Sequence, residues 1–69
     1  MMYEVIERAT NKVVVSYKAE NVKFAPTVES LEKMRSHKDH DRMSFILEHE
    51  NLTYNQSWWE VDKYDLRIS

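Results

Sequence analysis

The sequence predicts an α+β fold. It reads as a small antiparallel β-sheet, built from an N-terminal hairpin plus a C-terminal strand or hairpin, with one or two central helices packed on one face. Three observations carry this reading. β-Branched and aromatic residues dominate both arms of YEVIERATNKVVVSYKA, residues 3–19, around a polar turn. Val28, Leu31 and Met34 recur at helical spacing. In the tail WWEVDKYDLRI, Tyr64, Leu66 and Ile68 alternate with Asp65 and Arg67.

In the hairpin, Thr10-Asn11-Lys12 supplies the turn. A two-residue turn at Thr10-Asn11 or at Asn11-Lys12 puts Ile6 on one face with Val13, Val15 and Tyr17, the face expected to meet the core. Tyr3, Val5, Val14, Ser16 and Lys18 then lie on the other. Val22 and Phe24 suggest a short third strand, ended by Pro26. Thr27 is placed to cap a helix whose first turns hold Glu29 and Glu32, where the macrodipole favours acids. The apolar face of that helix fades between residues 35 and 42. The run RMSFILEHENL fits a helix through Met43, Ile46 and Leu47, capped by Asp41, and it also fits a strand SFILEH turning at Glu50-Asn51. The helix is the reading adopted.

Composition narrows the function. The chain has 69 residues, read as one domain spanning 1–69. A domain of this size buries only about 60% of the surface of its unfolded chain. Val, Ile, Leu, Phe and Trp total 18, enough for a single core. The net charge of -2 advertises no phosphate-rich partner. The negative excess sits in residues 48–69, which hold five acids, two bases and both tryptophans. Without cysteine, disulfides, thiol catalysis and thiolate-bound zinc are excluded. Without glycine, no phosphate-binding loop, dinucleotide fingerprint or nucleophile elbow can be written. Asparagine must then fill turn positions that need positive φ, and Asn11, Asn21, Asn51 and Asn55 all fall where turns are expected. No leader or membrane span is evident, since no apolar run exceeds three residues, as in VVV. The expected location is the cytoplasm, and NLT and NQS read as turn residues rather than glycosylation sites.

Two stretches attract a functional reading. The first is RSHKDHDRM, residues 35–43. On a helix, His37, His40 and Asp41 would project to one side. The histidine spacing differs from H-E-x-x-H, however, and Lys38 and Arg42 would repel a cation, so no metal site is assigned. No nucleophile or oxyanion donor accompanies the histidines, and no catalytic residue or cofactor is assigned. A polar junction between helices explains the stretch most simply. Lys33, Arg35, Lys38 and Arg42 form a basic cluster, diluted by Asp39 and Asp41, that would bind nucleic acid weakly.

The second stretch is SWWEV. Adjacent strand residues face opposite sides, so Trp58 and Trp59 cannot both enter one core. If the strand runs unbroken, Trp58 shares the face of Tyr64, Leu66 and Ile68. If Asp62-Lys63 turns the chain, Trp59 and Val61 face Leu66 and Tyr64, and Trp58 lies outside with Glu60. Cover by a helix on one face and a loop on the other would make both tryptophans structural. Otherwise Tyr54, Trp58, Trp59 and Tyr64 form an aromatic patch rimmed by Glu48, Glu50, Glu60, Asp62 and Asp65. Tryptophan and tyrosine are enriched at binding hot spots.

The opening YEVIERATNKVVVSYK resembles the N-terminal hairpins of many small bacterial and phage proteins. The resemblance covers about a quarter of the chain and brings no functional residue with it. The size suits a phage or mobile-element accessory protein. The expected function is a non-catalytic protein-binding module, an inhibitor or adaptor, whose contact residues are Tyr54, Trp58, Trp59, Glu60 and Tyr64. The alternative is weak nucleic-acid binding through Lys33, Arg35, Lys38 and Arg42. The expected partner is another protein, with a homodimer through a sheet edge or the aromatic patch as a second option; no membrane partner is expected.

Overall fold

Strands β1 (Met2–Glu7) and β2 (Lys12–Lys18) form the expected hairpin in the computed structural model, which describes residues 1–69. The turn is longer than expected, running from Arg8 to Asn11, and Asn11 takes the one positive φ of the chain, 60°. Asparagine tolerates that conformation better than any other residue type available here. Val5 pairs with Val15 but Ile6 pairs with Val13, so Val14 is an extra residue on β2. This bulge changes the phase of the ladder. As a result Val15 and Val13 fall on opposite faces: Val15, opposite Val5, packs on the core, whereas Val13, opposite Ile6, is exposed, and Ile6, though buried, stands outside the core cluster. Tyr3 and Val5 therefore join Val15 and Tyr17 on the core side, which corrects the face expected from a strict alternation.

A short 3-10 turn, Ala19–Asn21, leads into β3 (Val22–Phe24). Helix α1 (Val28–Ser36) follows Pro26, and Thr27 caps it: its Oγ1 accepts from the Ser30 N–H at 3.1 Å. Leu31 is the side chain that α1 buries completely.

Residues 43–52 are not helical. Ser44–Glu50 form strand β4, and His40–Arg42 make only a single 3-10 turn. The reason lies in the apolar pattern. Phe45 and Leu47 are both buried; two residues apart, they share a face on a strand but lie on nearly opposite faces of a helix. β4 is also central in its sheet, where neighbours on both sides satisfy its backbone.

Strand β5 (Tyr54–Glu60) pairs with β4, and after a turn at Val61–Lys63 strand β6 (Tyr64–Ile68) pairs with β1. The result is two three-stranded antiparallel sheets, ordered β2-β1-β6 and β3-β4-β5, in place of the single sheet expected. The domain is mixed α+β with one helix. Asn55 lies on β5 rather than in a turn. Val5, Leu31, Phe45, Leu47, Val61 and Leu66 make one core cluster, drawn from both sheets, the helix and the β5–β6 corner. No helix is long and apolar enough to cross a membrane.

Candidate functional site

The β5 strand sorts its side chains by alternation. Trp59 turns inward, donates its indole N–H to Ser57 Oγ at 3.0 Å, and meets Tyr64 edge-on with ring centroids 5.2 Å apart. Both rings pack against the core. Trp58, opposite Ile46, faces out and is 63% exposed. Tyr54 and Glu60 lie on the same outer side. The β5–β6 turn thus puts Trp59 and Val61 on the side of Leu66 and Tyr64, but the two strands belong to different sheets. The four expected aromatics are accordingly divided: Tyr54 and Trp58 are surface residues, while Trp59 and Tyr64 serve the core.

A ring that sequence reasoning did not include joins the surface pair. The β3–β4 ladder is irregular between Val22 and Phe24, which pair with consecutive residues, His49 and Glu48. Val22 packs on the core, whereas Phe24 is left half exposed, opposite Glu48. Reading residues 44–50 as a strand would have found the arrangement, because Ile46, Glu48 and Glu50 then fall opposite Phe45 and Leu47. The outer face of the β3-β4-β5 sheet is therefore Phe24, Ile46, Tyr54 and Trp58 interleaved with Glu48, Glu50, Gln56 and Glu60.

The polar groups of this face are partly organised. Gln56 Nε2 donates to Glu48 Oε1 at 2.7 Å and lies 3.4 Å from the Tyr54 hydroxyl. Hydrogen bonding from Tyr54, and then from Gln56, holds the Glu48 carboxyl below its ordinary range. The same Tyr54–Glu48 bond raises the Tyr54 phenol above its own. Glu50 lies 4.0 Å from Lys23 and Glu60 lies 3.5 Å from Lys63, both in exposed pairs. Such pairs cost little to open.

The basic cluster does not form a surface of four. Arg35 turns inward, with Nε donating to the Val61 carbonyl and Nη2 to the Tyr64 carbonyl, each at 2.9 Å, and Asp65 Oδ1 at 3.4 Å. It fastens α1 to the corner between the sheets. Lys33, Lys38 and Arg42 remain exposed. His37, His40 and Asp41 do not converge. His40 Nδ1 lies 2.8 Å from Asp62 Oδ2, while His37 Nδ1 accepts from the Asp39 N–H at 3.1 Å. No three acidic or histidine side chains are grouped as metal ligands.

An apolar groove of about 520 Å³ runs between the start of α1 and β6, lined by Tyr3, Pro26, Val28, Leu31, Leu66 and Ile68 among others. That volume falls in the range of small-molecule pockets, about 300–1,000 Å³. No family model matches the chain, and no curated protein or solved structure matches it significantly.

Proposed function

We propose that this domain is a non-catalytic protein-binding module that works through the outer face of the β3-β4-β5 sheet. The observation that carries the reading is the exposure of Trp58, Tyr54 and Phe24, at 63%, 52% and 51%, on one sheet face among carboxylates. Large rings left in water gain most when a partner covers them. The carboxylates Glu48, Glu50 and Glu60 favour a partner that brings lysine or arginine. Arginine adds stacking on Trp58 or Tyr54. With Arg35 drawn into the fold, nucleic-acid binding through Lys33, Lys38 and Arg42 is the weaker reading, because three dispersed cations make few phosphate contacts.

The test is a titration with an oligolysine peptide, and separately an oligoglutamate of equal length, followed by the two tryptophan indole N–H resonances in NMR spectra. A Trp58→Phe variant assigns them. The Trp58 signal is expected to shift with oligolysine alone, the Trp59 signal to stay, and the effect to fade with added salt. Trp58→Ala should weaken oligolysine binding, followed on the backbone amides of β5, while changing stability by no more than about 0.5 kcal/mol, as for an exposed side chain. Equal responses to both peptides, or none at Trp58, would remove the reading.

A further inference from the structure

A sheet edge is a row of unpaired N–H and C=O groups, and proteins usually blunt it with lysine, proline, bulges or short length. Three of the four edges here are blunted. β2 carries a lysine at each end and is bulged at Val14. β3 has three residues, with Lys23 in the middle and Pro26 just beyond. β6 carries Arg67, and Arg35 occupies its Tyr64 carbonyl.

β5 has none of these devices. It runs seven residues, YNQSWWE, and pairs with β4 without a register shift. Its direction can be read from one bond: the Val61 N–H donates to the Met43 carbonyl at 3.0 Å, in step with the β4–β5 register. Backbone groups alternate along an antiparallel strand. Asn55, Ser57 and Trp59 therefore bond to β4, and Tyr54, Gln56 and Trp58 present their amides and carbonyls to the open edge. Outside the ladder, no backbone hydrogen bond involves those three residues.

We propose that the open edge of β5 pairs antiparallel with β5 of a second copy of this chain, with Gln56 on the two-fold axis and Tyr54 of each copy opposite Trp58 of the other. Two features single out a second copy. The strand bears one charge, Glu60, which lies beyond the paired residues, so self-pairing opposes no like charges. A basic extended partner would find almost no complement along the edge itself. This register also sets the two outward rings of the strand, Tyr54 and Trp58, against each other's counterpart in the second copy, an aromatic pair being a favoured kind of cross-strand pair. It makes about six backbone hydrogen bonds and joins two sheets into one of six strands. Side chains stand roughly perpendicular to the sheet, so the outer aromatic face stays open and is doubled. The dimer thus does not depend on the basic-partner reading.

Mass in solution across a dilution series, by light scattering, tests the pairing together with amide hydrogen exchange. A dimer is expected at high concentration. The amides of Tyr54, Gln56 and Trp58 should then be protected, exchanging about tenfold more slowly when nine-tenths of the chains are paired, and the protection should vanish on dilution. Gln56→Pro removes an amide that the fold does not use and fills the edge. It should give a folded monomer, with Gln56→Ala still dimeric. A monomer at every concentration overturns the proposal, as does a dimer in which those three amides exchange freely. If Gln56→Pro does not fold, exchange in the unaltered protein decides. The unaltered protein, diluted until it is monomeric and still responding to oligolysine at Trp58, would separate the edge from the face.

Discussion

The two sheets are built alike inside and differently outside. Each turns apolar residues toward the shared core: Val5 and Leu66 from one, Phe45 and Leu47 from the other. Outside, β2-β1-β6 exposes no aromatic ring; its exposed large apolar side chains are the aliphatic Val13, Val14 and Ile68. Glu4 and Arg67 face each other across β1 and β6 and bond at 3.1 Å. The corresponding face of β3-β4-β5 shows Phe24, Tyr54 and Trp58. Since one sheet folds without an exposed aromatic ring, the fold does not require the aromatic exterior of the other. Those rings are surplus to folding, which is why they are read as functional.

The comparison breaks most severely if the shared interior is removed. Phe45→Ala is expected to cost about 3–5 kcal/mol, from lost burial plus the cavity left behind. For a chain of 69 residues that is much of the stability available, and urea unfolding would show it directly. Val5→Ala, deleting fewer carbons from the opposite sheet, should cost less. The two costs should not add in the double variant; strict additivity would mean that the two side chains do not share one packed interior.

A smaller effect is expected at the joint between the sheets. Arg35 donates to the carbonyls of Val61 and Tyr64 at either end of the corner. Arg35→Met keeps much of the stem and removes the donors, leaving two carbonyls to find water. Hydrogen bonds from a charged donor contribute about 1.5–3 kcal/mol, so a loss of about 2 kcal/mol is expected in the same measurement. Oligolysine binding at Trp58 should survive in the folded fraction. No loss of stability would mean that the corner is held by packing of Val61 alone.

What the sequence disclosed follows from which signals are local. The hairpin, the Thr27 cap and the short helix each rest on neighbours in the chain, and each appears where expected. The bulge at Val14 had no local sign, because VVV is equally apolar at every position and only the partner strand chooses the extra residue. The identity of β4 was hidden for a related reason. Met43, Ile46 and Leu47 satisfy a helix, and the deciding fact, that Phe45 and Leu47 share a core face, is tertiary. The site was half legible. SWWEV forced one tryptophan outward, but its companions Phe24 and Ile46 come from other strands, and Arg35 left the basic cluster through contacts 26 and 29 residues away.

The smallest expected effect sharpens the outer face. Glu48 has its carboxyl held below the ordinary value of 4.5 by hydrogen bonds from Tyr54 and Gln56. Its pKa is depressed in the folded state, so the stability linked to its ionised form is present above the unfolded value and lost as pH falls through the folded one. The side chain is exposed to solvent, so the consequence belongs to charge rather than stability. Glu48 should stay ionised to lower pH than an unbonded glutamate and keep the face attractive to a basic partner. Tyr54→Phe removes the leading donor, and the Glu48 titration midpoint, followed by carboxyl carbon NMR, should rise toward the ordinary value. Gln56→Ala should raise it less. If Tyr54→Phe leaves the midpoint in place, the ring is not part of the polar network. Tyr54 would then be an apolar element of the face, like Phe24, rather than one that also sets its charge.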